Sequence, residues 1–248
     1  MLGALLLVGM LSLSHRMMHP LPRGDVDALY AALPELGEDD VIAAVSPRAW
    51  QMVLPRSTEI LTAELGHLDH LAGTRVLWLI GEHPERHQET IAALRAAAVV
   101  LQEISAGRGL ALLLSPGGQA ADHGAAVFAP VGGRDGDDLL LYATADVVLP
   151  DLHTAGPGRH AVDVVGRGTS AGGVAAKLEI TVEGAQPEGA WVWSLPGETA
   201  AHRVTFIAER SGPVILRFLN DGTLGSEDRN IWIEKVVLSQ LDGDDQQR

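Results

Sequence analysis

Cysteine is absent from the 248 residues, which excludes disulfides, thiolate nucleophiles and Cys-based zinc or iron–sulfur sites and says nothing decisive about the redox compartment. Positive charge is scarce: 18 Lys and Arg stand against 32 Asp and Glu, a formal charge of −14, so nucleic acid is not an expected partner. Aromatics make up only 4% of the chain, which leaves few side chains for any stacking surface. A long hydrophobic run is also missing. The apolar start, Met1 to Ser14, falls short of the roughly 20 residues a bilayer-spanning helix needs. It has no cationic beginning and no clear cleavage site, and Arg16 and Arg23 come after it. Three readings stay open for it: the trailing part of a membrane helix, an atypical signal or membrane anchor, or a buried N-terminal helix.

What is present is a folded chain, 46% apolar and 20% charged, long enough for one large domain or two small ones. From Asp39 to Leu114 short apolar strands alternate with helix-like stretches, as in βαβ units. Asp40–Val45 and Arg75–Ile80 read as strands, Ser46-Pro47 as the opening of a helix, and Glu82–Ala98 as a helix whose Ile91, Leu94 and Ala98 share a face. Val99–Ile104 and Leu110–Leu114 read as a hairpin around Gly107 and Gly109. Glycines then crowd residues 117–134, which reads as a linker. Beyond it come eight short runs: Leu139–Tyr142, Ala145–Leu149, His160–Val165, Ala176–Val182, Ala190–Ser194, His202–Ala208, Val214–Leu219 and Ile231–Leu238. The expected organisation is an apolar segment 1–20, a small layered α/β domain 21–116, the linker, an all-β antiparallel sandwich of the jelly-roll kind 135–242, and a polar tail 243–248.

The densest chemistry lies between the last two runs. Within Asn220 to Asn230 stand Asn220, Asp221, Glu227, Asp228 and Asn230, oxygen-bearing side chains on a glycine-broken loop. Calcium takes 6–8 oxygen ligands in forgiving geometry, so these five are candidate metal ligands. The alternative from composition is an acidic turn closed by its own Asx-type hydrogen bonds.

The stretches Val162–Gly173, Lys177–Gly184, Leu216–Asp221 and Glu227–Ile233, above all the ending Asn-Asp … Asp-Arg-Asn-Ile-Trp-Ile, resemble the calcium-dependent xylan-binding carbohydrate-binding modules over about residues 137–240. The resemblance implies a β-sandwich whose bound Ca2+ coordinates vicinal sugar hydroxyls, with Asp221 and Asp228 at the acidic positions and Asn220, Glu227 and Asn230 as looser candidates. The loop holds no aromatic, so the sugar platform has to come from elsewhere. Trp232 and Arg229 are the candidate ligand contacts. More faintly, Gly37–Trp50 and Gly73–Leu114 resemble the soluble extracytoplasmic domain of polyprenol-phosphate-sugar-dependent membrane glycosyltransferases, whose catalytic carboxylate lies in a loop this chain does not contain.

Other patterns weigh less. Gly168-Thr169-Ser170-Ala171-Gly172 satisfies G-x-S-x-G, and Gly166 to Ala171 satisfies a dinucleotide fingerprint, but both need a strand entering a helix, whereas the following residues alternate as a strand. Trp191 and Trp193 are expected on one strand face, together in the core or together exposed. The pairs His67/His70 and His83/His87 have helical spacing and no evident third ligand, and Asp69 and Glu82 are isolated carboxylates. The function expected is calcium-dependent binding of a xylan-like polysaccharide or oligosaccharide outside the cytoplasm. The alternatives are the soluble portion of a membrane glycosyltransferase, a hydrolase using Ser170, or a calcium-stabilised surface protein that packs as a homo-oligomer.

Overall fold

The computed structural model describes residues 23–241 except 35, 38–39, 45–49, 51–59, 63–64, 83 and 108. The apolar segment 1–20, the tail 243–248 and the helix expected at Ser46-Pro47 lie outside the described residues. Among the described residues no helix is long and apolar enough to cross a membrane.

Helix α1 (Arg23–Ala32) precedes β1 (Val41–Ala44), β2 (Ile60–Thr62) and β3 (Val76–Glu82); helix α2 (Gln88–Ala97), β4 (Ala98–Ala106) and β5 (Gly109–Pro116) follow. The strand order is β2-β1-β3-β5-β4, with β1 parallel to both neighbours and β5 antiparallel to both of its own. Strand β5 reads Gly-Leu-Ala-Leu-Leu-Leu-Ser-Pro and is buried along its whole length, as an uninterrupted apolar run must be when both faces are covered. Its Leu112 and Leu114 join Trp78, Ile91 and Leu94 in one core, while Ala111 and Leu113 join Leu29 of α1 in another.

The chain continues through β6 (Gln119–Ala120), β7 (Val127–Ala129), β8 (Gly133–Asp135), β9 (Asp138–Leu141), β10 (Asp146–His153) and β11 (Gly158–Gly168). A hairpin of β12 (Ser170–Ala171) and β13 (Val174–Ala175) comes next, then β14 (Lys177–Val182), β15 (Ala185–Glu188), β16 (Val192–Ser194), β17 (Ala200–Ala208) and β18 (Pro213–Phe218). A second hairpin, β19 (Thr223–Leu224) and β20 (Glu227–Asp228), precedes the long last strand β21 (Ile231–Gln240). These form two antiparallel sheets, β16-β14-β18-β10-β7 and β15-β17-β11-β21-β9-β8, with β6 also on β21. Alternation along Lys177-Leu178-Glu179-Ile180-Thr181-Val182 sends Leu178, Ile180 and Val182 inward, where they meet Phe206, Leu216, Phe218, Ile231 and Ile233 between the sheets. The result is a β-sandwich.

Residues 117–134, expected as a linker, are part of this sandwich: β6 pairs with β21, β7 with β10, and β8 with β9. Glycine crowding marks tight connections between short strands there, because a two- or three-residue strand carries too little periodic signal to be read.

The two halves also share a core. Val165 of β11 and Val237 of β21 point away from the sandwich interior into the cluster built on Leu77, Leu79 and Leu113. Around that apolar contact Arg203 grips Asp163 with two hydrogen bonds of 2.9 and 2.7 Å and donates a third, 3.1 Å, to the carbonyl of Gly73. Ser115 and Ser239 hydroxyls meet at 2.9 Å, and the Lys235 ammonium donates to the carbonyl of Val100. Gly73 has φ +79, and a Cβ there would press into the Gln240 carbonyl, so the approach of the two halves requires glycine.

Candidate functional site

The carboxylate-rich loop is a hairpin laid beside a second hairpin at one end of the sandwich. In the first, Gly225 (φ +65) opens the turn that pairs Thr223 with Asp228 and Leu224 with Glu227. In the second, Gly172-Gly173, both at positive φ, turn Ser170-Ala171 back onto Val174-Ala175. The glycine-rich stretch is thus a strand-to-strand turn, and Ser170 lies on an exposed strand with no helix following it, which removes both the nucleophile-elbow and the dinucleotide geometries. Gly172 has φ +61, which favours glycine, and a Cβ there would meet only the tip of the exposed Leu224 side chain at 2.6 Å.

Most of the expected ligands have a local role visible in their bonds. Asn220 uses its whole amide to seat the loop: Oδ1 accepts from the Lys177 N–H at 2.6 Å and Nδ2 donates to the Ala175 carbonyl at 2.8 Å. Glu227 Oε2 accepts the Gly172 N–H at 2.7 Å and ties hairpin to hairpin. Arg229 lies half-buried beneath the loop, where Nη1 donates to the Asn220 carbonyl at 2.5 Å and its N–H to the Gly222 carbonyl at 3.2 Å; it braces the loop from below.

A different set faces outward together. The Arg229–Gly222 bond lies one residue beyond the Thr223–Asp228 pair, and Asp221 and Asn230 are the next residues along the two arms. Alternation then puts Asp221, Thr223, Asp228 and Asn230 on one face. Two bonds run within it: Thr223 Oγ1 donates to Asp228 Oδ1 at 3.1 Å, and Asn230 Nδ2 reaches Asp228 Oδ2 at 3.4 Å. Asp221 is exposed and has no hydrogen-bond or ion-pair partner among the described residues, and Asn230 Oδ1 is buried without one. Two residues not read from sequence complete the arrangement. Thr169 donates to the Asp228 carbonyl at 2.6 Å and accepts the Asn230 N–H at 2.7 Å, which clamps the peptide between them; Thr223 adds a hydroxyl to the outward face. Only the hairpin register could have pointed to either.

No group of three or more His, Asp or Glu side chains converges as a metal site among the described residues. The oxygen set on the outward face fits a hard cation in kind: two carboxylates, a hydroxyl and an amide oxygen left without a donor, with no nitrogen or sulfur. Of the two histidine pairs, His70 is exposed and His87 half-buried, while the side chain of residue 67 and residue 83 lie outside the described set.

The tryptophans divide differently from expectation. Trp193 is in the core at 9% exposure and stacks on the His202 ring at 5.3 Å, whereas Trp191 is 41% exposed. Strand β16 begins only at Val192, so the alternation expected to align the two indoles does not reach Trp191. Trp232, expected against a ligand, sits on the outer face of β21 with the Arg167 guanidinium 4.5 Å over its ring and its N–H on Asp135 Oδ2 at 3.0 Å. One ring face is taken by that cation–π contact. Nearby, burial and then the charge of Glu234 push the Asp138 carboxyl above its ordinary range.

The fold and this site define a β-sandwich that carries an oxygen-rich double hairpin at one end. No family model and no curated protein matches the chain. Among solved structures it is similar to the CBM36-1 domain of a multidomain xylanase from the hindgut metagenome of Trinervitermes trinervoides, at 10% identity and a TM-score of 0.37 over 51% of this chain and 99% of that one. It is also similar to the carbohydrate-binding module CBM36 in complex with calcium and xylotriose, at 14% identity and a TM-score of 0.35 over 49% and 98% of the two chains. A third likeness is to a family two carbohydrate esterase from Cellvibrio japonicus, at 10% identity and a TM-score of 0.33, covering 50% of this chain and 33% of that one.

Proposed function

We propose that the sandwich is a calcium-dependent carbohydrate-binding module acting outside the cytoplasm on a neutral, xylan-like polysaccharide, and that residues 23–116 are its noncatalytic support. The observation that carries this reading is the 220–230 hairpin, where Asp221 is exposed without a partner among the described residues and Asn230, bonded through Nδ2 to Asp228, keeps a buried Oδ1 without a donor. Carboxylate, hydroxyl and amide oxygens are the donors a hard divalent cation takes. Asp221 and Asp228 would hold the calcium, with Asn230 and Thr223 beside them. When bound, the ion supplies open coordination positions for a vicinal sugar diol. The chain's own part is orientation: Asn220, Glu227 and Arg229 fix the backbone on which those oxygens sit. Single-site contacts of this kind are weak, which suits a repetitive polymer on which many modules add up.

Calorimetric titration with calcium, followed by xylotriose, tests the reading. Heat of calcium binding in the parent, its loss in Asp221→Ala and Asp228→Ala with melting otherwise unchanged, and a calcium-dependent sugar response are expected. Calcium indifference of the parent would end it. Calcium binding with no sugar response would move the assignment to a structural surface protein.

A further inference from the structure

The open face of the five-stranded sheet carries a second binding feature that the loop does not use. Thr181, Ile215 and Val148 point outward along one row, and Glu179, Arg217 and Asp146 along the next. In that second row Arg217 Nε and Nη2 bond both oxygens of Asp146 at 2.6 and 2.9 Å, and Nη1 bonds Glu179 Oε2 at 3.0 Å. Glu179 Oε1 then accepts the indole N–H of Trp191 at 3.2 Å. The row spans three neighbouring strands and ends on the exposed indole, one residue before β16. Trp191 is the only exposed tryptophan of the chain's five.

We propose that this row is an extended subsite for the same polysaccharide, with Trp191 as its stacking platform and Arg217 and Glu179 as its hydrogen-bonding groups. The inference rests on the carbohydrate-binding reading of the loop and deepens it. Three observations favour a neutral polyhydroxyl chain as occupant. A guanidinium has five N–H groups and Arg217 spends three within the row, so two donors stay open beside a planar apolar surface, the pairing a sugar ring with C–H faces and equatorial hydroxyls requires. The row holds two carboxylates to one guanidinium in a chain of net charge −14, which repels an anionic polymer. A protein partner with an apolar face would have to desolvate all three charges, whereas hydroxyls bond to them without breaking the ion pairs.

Continuity with the loop fixes the direction. Leu219 donates to the Lys177 carbonyl at 3.0 Å at the loop's base, and Arg217 lies two residues before it on the same outward side, about 7 Å away along the strand. The proposed subsite would engage a chain long enough to run from the hairpin over Arg217 and Glu179 to Trp191.

The test is calorimetry on the full chain in calcium with xylotriose and xylohexaose. Trp191→Ala is expected to weaken xylohexaose about tenfold and to leave xylotriose within about twofold of the parent. Glu179→Gln, which keeps an acceptor for the indole and removes the charge partner of Arg217, is expected to lower xylohexaose affinity about threefold. Equal xylohexaose affinity in parent and Trp191→Ala would overturn the inference while the loop reading stands. So would a sedimentation result in which Trp191→Ala converts a dimer to a monomer with unchanged sugar affinity, since the face would then cover a second copy. A parent that binds neither sugar in calcium defeats the carbohydrate reading itself, and the subsite with it.

Discussion

The two outer faces of the sandwich each carry an arginine bound at two points by an aspartate, and the pairs differ in almost everything else. Arg203–Asp163 lies under the N-terminal sheet, with side chains 11% and 0% exposed, and Arg217–Asp146 lies on the open face at 48% and 36%. Burial decides what each pair is for. The covered pair exists within a low-dielectric contact, and removing one partner strands a charge there. The open pair remains in water, where an ion pair contributes little to stability and its spare donors stay accessible.

The largest effect expected from this contrast is at the covered pair. Asp163→Ala leaves the Arg203 guanidinium buried without its carboxylate and should destabilise the protein by about 3–5 kcal/mol, read as a fall in melting temperature. A loss below about 1 kcal/mol would show that the two halves are held without it. Next, Gly73→Ala forces a Cβ into the Gln240 carbonyl at φ +79 and should cost about 1–3 kcal/mol in chemical denaturation, concentrated on the contact between the halves. The smallest stability change belongs to the open pair: Arg217→Met should cost under about 1 kcal/mol.

A titration sharpens the same comparison. The Arg217 hydrogen bonds hold the Asp146 carboxyl below its ordinary range, against the opposing effect of burial and with the Arg217 charge adding to the lowering. A depressed folded-state pKa means that this pairing is fully present above the unfolded value near about 3.9 and fades as pH falls through the lower folded value. Carboxyl-detected NMR should show Asp146 titrating low in the parent and returning toward the ordinary range in Arg217→Met. An unchanged Asp146 titration would show that Arg217 is not its partner in solution.

The individual strands of the sandwich were legible because each run is long enough to alternate. The run expected at Ala176–Val182 declares its inner and outer faces by residue type alone, and the observed strand, Lys177–Val182, starts one residue later. The short strands β6, β7 and β8 escaped, since two or three residues cannot display a period, and their glycines resembled a linker. At the loop, sequence singled out a segment rich in oxygen-bearing side chains and did not show which of them the neighbouring hairpin already engages. Asn220 and Glu227 have the chemistry of ligands and serve as internal ties, a distinction that depends on which N–H groups the neighbouring hairpin brings within reach.

Residue order alone therefore determined the local periods, the glycine turns and the concentration of oxygen-bearing side chains before the last strand, because each is a property of a few consecutive residues. Tertiary structure decided the rest: that Val165 and Val237 point into the N-terminal core, that Arg167 covers Trp232, and that Trp191 is left in solvent. Burial and partnership are long-range quantities. They are set by residues far apart in sequence that packing brings within a few ångströms, and no window along the chain contains both partners.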